Sequence, residues 1–446
     1  LGSMSSFDTG GNAMTLAVTD TTGGYGVFNL KFTGALSATN AIAPDTIVQM
    51  GIGTGGQANL RMGLDNQFGA GVMMVFSNAS GQWMRFELEG TSQTLAGLET
   101  GAPGTQGGAV IQNQDASVTA PSGPATLTLN GTNSYVYNGY LRDADNGSAA
   151  NPLSLVKTGA GAQMLCAAAI NYTGATTLNG GMLALYNTTA FASSVSIAGG
   201  TTLLMTNTTN WGYSRTITGT GTWIVSGNNA SSQGHYDFTA STVSNFTGTF
   251  VITNAARYTV NGDSDLPAGA VDITPGNQVW ISGGGISHPV SIAGYGWQEG
   301  AGQLGAIRFS NGTNSGPITL TGNARLCAYG AGGLVSGNIS GGWDVESWQG
   351  GDGQLYLSGA NTFNNLNLTG FWIYLNKAEA AGSGTIIFNN GGMSGYGSAV
   401  TFTNPVSALT TAHIGYRTGS IDTTFAGPWD LGGAARDLNI YNTNTI

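Results

Sequence analysis

A block made of an aromatic residue, a small polar turn and alternating apolar residues occurs three times in this chain, each time in looser wording. Asn171-Tyr-Thr-Gly-Ala-Thr-Thr-Leu178 leads to Leu183-Ala-Leu185. Asn245-Phe-Thr-Gly-Thr-Phe-Val-Ile252 leads to Tyr258-Thr-Val260. Ser358-Gly-Ala-Asn-Thr-Phe363 leads through Leu366 and Leu368 to Ile373-Tyr-Leu375. Recurrence of a short unit marks stacked architectures, in which a piece too small to bury its own apolar face does so against the next piece. Each strand-like segment carries two or three alternating apolar residues, so leucine is expected over leucine and aromatic over aromatic. Tyr172, Phe246 and Phe363 are accordingly expected in the core, and so is Leu185.

A second phrase accompanies the first: Leu60-Arg-Met-Gly-Leu-Asp-Asn66 leading to Val72, then Phe191-Ala-Ser-Ser-Val195, Leu266-Pro-Ala-Gly-Ala-Val271 and Ala381-Gly-Ser-Gly-Thr-Ile386. Each turns on small residues and opens another strand. A coil of roughly 20–25 residues, usual for such repeats, gives about 18–22 coils; at about 4.8 Å per strand that makes a rod on the order of 100 Å long. Glycine and asparagine supply the positive φ angles needed at corners. Outward Thr, Ser and Asn are placed to hydrogen-bond to their counterparts in neighbouring coils.

Composition agrees with a folded all-β chain. Of 446 residues, 74 are glycine, 41% are apolar and 8% are charged, with 16 Tyr, 16 Phe and 9 Trp to build a core. No sustained 3.6-residue apolar period is present, and composition does not shift so as to separate domains. Residues 1–4 read as the remnant of a cleaved tag, 5–59 as an amino-terminal β-rich segment or cap, and 60–446 as irregular repeats. The net charge is −10, from only 12 basic residues that are scattered along the chain. Nucleic-acid binding, which needs a clustered basic surface, is disfavoured, and so is an anionic membrane. No apolar run reaches the roughly 20 residues of a membrane span. Cys166 and Cys327 match no metal spacing; they read as thiols in or beside strands, with a disulfide between distant rungs as the alternative.

At the repeated phrases the chain resembles the autotransporter-associated β-strand repeat proteins, glycine-rich proteins of bacterial surfaces. Leu155-Val-Lys157-Thr-Gly159-Ala-Gly161 leading to Tyr172-Thr-Gly174 and Leu183-Ala-Leu185 carries the likeness, with Cys166 where serine is usual. Gly353-Gln-Leu-Tyr-Leu-Ser-Gly-Ala-Asn-Thr-Phe363 carries it again before departing at Asn364-Asn365. The resemblance covers roughly residues 60–205 and 245–390. It implies a single-stranded right-handed parallel β-helix (solenoid), exported and placed outside the cell or on its outer surface. The family's export signal and carboxy-terminal barrel or anchor are not in the sequence, as expected for a piece of a longer protein.

Candidate chemistry is sparse. The carboxylate pairs are Asp143/Asp145, Asp263/Asp265 and Glu87/Glu89, the last expected on one face of a strand. Asp143-Ala-Asp-Asn-Gly147 has the start of a calcium loop but not its third ligand or closing glutamate, so it reads as an Asx-rich turn. His235, His288 and His413 are isolated and read as surface or turn residues. Gly283-Gly-Gly285 reads as a corner, with no helix or lysine to make a phosphate loop. Tyr295, Trp297, Trp343 and Trp348 fall in glycine-rich segments read as loops, where aromatic platforms for sugars are the alternative to lids on a solenoid. No catalytic, cofactor-binding or metal-binding residue is assigned, and no cofactor.

The expected function is a non-enzymatic extracellular scaffold: an adhesin-like passenger or fibre unit. The alternatives are a polysaccharide-degrading β-helix enzyme, marked by a grouped Asp/Glu/Arg groove, and a carbohydrate-binding module, marked by a row of exposed aromatics. Expected partners are surface glycans or copies of the chain itself. A monomer is expected in dilute solution, with the ends partly covered by residues near 5–40 and 425–446.

Overall fold

A computed structural model describes residues 15–20, 26–31, 47–52, 56–68, 71–78, 83–100, 108–115, 123–145, 151–166, 169–227, 237–240, 243, 245–348, 353–370, 372–415 and 421–441. Residues 1–4, read as a tag remnant, His235, Asn146 and Gly147, and parts of the segments 5–40 and 425–446 expected to cover the ends (5–14, 21–25, 32–40 and 442–446) lie outside them. Among the described residues the structure is β throughout. The helical segments are two 3-10 turns, Asp263–Asp265 and Ala378–Ala381, and pairing is parallel in every named strand pair except Gln298–Glu299 with Gly302–Gln303.

The chain divides into two compact units, Leu1–Asn207 with Tyr213–Trp223, and Thr208–Gly212 with Ile224–Ile446. Composition does not announce this division. In the first unit the ladder Gly26–Lys31, Gly56–Arg61, Trp83–Glu87, Gly108–Gln114, Tyr140–Ala144 runs through residue 59 without a break. Beside it runs a ladder of Ser92–Leu95, Ala125–Leu129, Leu153–Lys157, Thr176–Leu178, Val195–Ile197 and Ile217–Gly219. A third ladder holds Tyr135–Tyr137, Ala162–Cys166, Met182–Tyr186 and Thr202–Asn207.

In the second unit successive strands alternate between ladders. Val345–Trp348, Leu366–Thr369, Ile386–Asn389 and Val406–Ala408 pair in one. Leu355–Leu357, Trp372–Leu375, Gly392–Gly395 and Ala412–Ile414, each following one of them in sequence, pair in another. The long strand Ile318–Ala328 serves two ladders at once: Ile318–Leu320 beside Val290–Ile292, and Leu326–Ala328 beside Ile307–Phe309.

Register explains why these residues make these strands. Leu165 lies beside Leu185 and Leu185 beside Met205, two returns of equal length, and all three side chains are buried. Leu355, Ile373 and Met393 stack likewise, as do Leu366, Ile386 and Val406. Each fully buried leucine or isoleucine contributes about 1.5–3 kcal/mol by leaving water. Burial alternates strictly along Ala125–Leu129, and the less buried row, Thr126 and Thr128, is polar. Tyr172, Phe246 and Phe363 have no exposed surface, as the sequence predicts. Tyr172 meets Phe191 edge-on at 5.7 Å, and Phe191 stacks on Tyr213 at 6.0 Å, so each of the two recurring phrases supplies a member of one aromatic column.

Short returns hold from Leu155 to Thr176, from Thr176 to Val195 and from Val195 to Ile217. They lengthen where loops are inserted, as between Gln93 and Leu127 or Val279 and Ile307. Gly283 and Gly284 have φ of 75° and 67°, and a side chain at Gly284 would collide with the Asn261 carbonyl oxygen. That run is a corner, as read. Cys166 and Cys327 are buried thiols within strands, and no disulfide forms among the described residues.

Candidate functional sites on the lateral faces

In the first unit, strands Gly56–Arg61, Trp83–Glu87 and Tyr140–Ala144 bring together arginines from distant parts of the sequence. Arg61 Nε donates to Glu87 at 2.6 Å and lies 3.5 Å from Glu89; its Nη2 reaches Asp115 at 3.3 Å. Arg85 Nη1 bridges Asp115 at 3.1 Å and Asp145 at 3.5 Å. Gln112 donates to the other Glu87 oxygen at 3.2 Å and accepts from Arg142. The Glu87 side chain has no exposed surface. Burial pushes its carboxyl up to about 7 against the pull of Arg61, with Asp115 and Glu89 adding repulsion. The direction follows from burial: a carboxylate removed from water gains by keeping its proton, and the neighbouring carboxylates add to that gain.

This cluster corrects one reading. Glu89 is not on the strand with Glu87, because the chain leaves Trp83–Glu87 and turns, placing Glu89 at φ 48°. Both nevertheless reach Arg61 Nε. Sequence order hides the group, since Arg61, Glu87 and Asp115 are related by the return of the chain and by no local motif.

The other carboxylates hold the backbone. Asp143 lies in the strand Tyr140–Ala144 rather than in a turn; it is buried and accepts from the Leu153 and Thr173 amides and the Thr173 hydroxyl. Asp263 accepts from the Ser287 amide and hydroxyl at 2.6 and 2.7 Å. Burial opposes its ionisation, but these bonds and His288 hold its carboxyl below the usual range. Asp265 accepts from the Asn261 amide. His288 lies 3.7 Å from Asp263. His413 packs against Trp372 and Tyr441, and burial lowers its pKa.

A polar ladder runs along the second unit. Asn323 Oδ1 accepts the Asp344 amide, Asp344 Oδ1 accepts the Asn365 amide, and Asn365 Oδ1 accepts the Thr385 amide, at 3.0, 3.1 and 2.9 Å. Each side chain ties its own rung to the next. A trough of about 440 Å³ borders the end of this ladder, lined by Asn365, Thr385, Ile387, Pro405, Ser407 and Asp430. It gathers no acid–base pair.

Nearby, Trp280 lies between two guanidinium groups, Arg257 and Arg308, each 4.7 Å from its ring. Arg325 packs on Tyr295 and Trp348 at 4.8 and 5.0 Å. Trp348 belongs to the strand Val345–Trp348 and not to a loop. Trp297 is buried under Arg257, whereas Tyr295 and Trp343 are exposed. Arginines lie over the rings of Trp280, Tyr295, Trp297 and Trp348, so these four do not form a row of open aromatic faces. Sequence reading missed this group: its arginines lie in three different strands, and each looks solitary.

Among the described residues no helix is long and apolar enough to cross a membrane. No family model matches the chain, and neither curated proteins nor solved structures give a significant match.

Proposed function

We propose that this chain is a non-enzymatic scaffold of a bacterial cell surface, an adhesin-like passenger or fibre unit, wound as a single-stranded right-handed parallel β-helix. The observation that carries the reading is the Asn323–Asp344–Asn365–Thr385 ladder. Polar side chains that an enzyme or receptor presents to a ligand are spent here on joining one rung to the next. The alternation of strands between ladders supports the coil, and the resemblance to autotransporter-associated repeats supports the extracellular setting.

A polysaccharide-degrading enzyme is the second reading, favoured by the grouping of Glu87, Glu89 and Asp115 with Arg61 and Arg85. It ranks lower because Glu87, whose carboxyl burial pushes up to about 7, is fully buried with both oxygens engaged. A general acid must reach the bond it protonates. Incubation with acidic and neutral polysaccharides, with and without calcium, separates the two readings. The scaffold releases no reducing ends or unsaturated products; turnover that disappears in Glu87→Gln or Asp115→Asn overturns it.

A further inference from the structure

Between strands Val290–Gly294 and Ile307–Ser310 the chain makes an excursion that neighbouring rungs lack. The return from Val279 to Ile307 is longer than the one before it, from Arg257 to Gln278. The extra length forms the antiparallel pair Gln298–Glu299 with Gly302–Gln303, a strap folded over the arginine–tryptophan face. Its contacts are those of a bound peptide. Glu299 accepts from Arg308 Nη1 with both oxygens, at 3.1 and 2.9 Å, and lies 3.6 Å from Arg257. Two main-chain carbonyls of the strap are also recognised: Gln303 by Arg325 at 2.8 Å and Gly305 by Gln278 at 3.0 Å.

The strap leaves this face short of acceptors. Arg308 Nε, Arg325 Nε and Trp280 Nε1 are buried N–H donors with no hydrogen-bond partner, and each such group carries an uncompensated desolvation cost. Arg257 and Arg308 share Glu299, and Arg325 pairs with Glu346. A ligand with a second carboxylate or further carbonyls satisfies donors that the strap does not. The strap is also jointed: Gly296 and Gly305 have φ of 87° and 95°, and they bridge each other at its base.

We propose that the Arg257–Trp280–Arg308–Arg325 face is a receptor site for an acidic peptide segment, held in this chain by its own strap through Glu299. The strap is the resident competitor, and a more acidic segment presented in trans displaces it. Peptide is favoured over acidic saccharide because the face grips main-chain carbonyls as well as a carboxylate, and because arginines occupy both faces of Trp280.

The test is calorimetric titration of the full chain with a synthetic peptide of residues 295–304, and with the same peptide carrying Glu299→Gln. In the Glu299→Gln chain the acidic peptide is expected to bind at least tenfold more tightly than in the unsubstituted chain, and at least tenfold more tightly than the neutral peptide. Adding Arg308→Ala to that chain abolishes binding while the β-sheet circular dichroism is retained. Equal affinity for the two peptides overturns the proposal without depending on any variant's folding. No binding by the Glu299→Gln chain overturns it, as does oligogalacturonate binding in place of the peptide. Peptide titration and polysaccharide turnover are separate readouts, so failure here is distinguishable from failure of the scaffold reading.

Discussion

Leu185 sits between Leu165 and Met205 with no exposed surface, so its side chain has nowhere to go when altered. Leu185→Ala is expected to cost about 2–5 kcal/mol, from lost transfer energy and an unfilled cavity. Leu185→Asp costs more, because the charge has no partner in the core. Denaturant midpoints check both, and an unchanged midpoint for the aspartate variant would contradict the burial. Glu87 behaves in the opposite sense to a surface carboxylate. Its folded pKa of about 7 lies above the ordinary value of 4.5. The stability it confers is therefore fully present below pH 4.5 and lost as pH climbs through 7. Glu87→Gln, which mimics the protonated form, is expected to remove the wild-type fall in melting temperature between pH 5 and 7.5 and to melt higher at pH 8. Identical pH profiles for the two chains would contradict the raised pKa.

At the scale of elements, the joints between rungs are as informative as the strands. Asp344 accepts from the Asn365 amide and from the Asn364 side chain, at 3.1 and 2.9 Å. Asp344→Ala is expected to cost about 1 kcal/mol and to speed hydrogen exchange at the Asn365 amide, while amides of the first unit are unchanged. Uniform acceleration throughout the chain would contradict a local joint. The strands themselves were legible in the sequence because period-2 alternation and recurring phrases are local signals. Tyr172, Phe246, Phe363 and Leu185 could be placed in the core on those signals alone. What joins one rung to the next was not legible. Whether Asp143 caps Thr173, or Glu87 meets Arg61, depends on the length of each return. Loop insertions change that length, from the short return between Thr176 and Val195 to the long one between Gln93 and Leu127. No local pattern encodes them. Glu89 was misplaced for a related reason: the corner begins directly after Glu87, and alternation read past it.

For the whole molecule, the scaffold reading predicts association behaviour as well as inertness. Most charged groups of the two lateral clusters are engaged with one another, and no cluster of three or more His, Cys, Asp or Glu suited to a metal occurs among the described residues. The chain is expected to scatter light as a monomer across a dilute concentration series; an oligomer of fixed size at every concentration would contradict this. The most direct test of the central claim, a coil of in-register parallel rungs, is a molecular ruler on one ladder of the first unit. Val156, Thr177, Ser196 and Thr218 are successive partners in it and all lie off the core. Nitroxide labels on Thr177→Cys and Ser196→Cys should be one rung apart, and labels on Val156→Cys and Thr218→Cys three rungs apart. At about 4.8 Å per rung the backbone separations are about 5 and about 14 Å. Electron paramagnetic resonance should show strong dipolar broadening for the first pair and a separation near three rungs for the second. Distances that fail to grow with rung number, or a first pair as far apart as the second, would contradict the stacked coil.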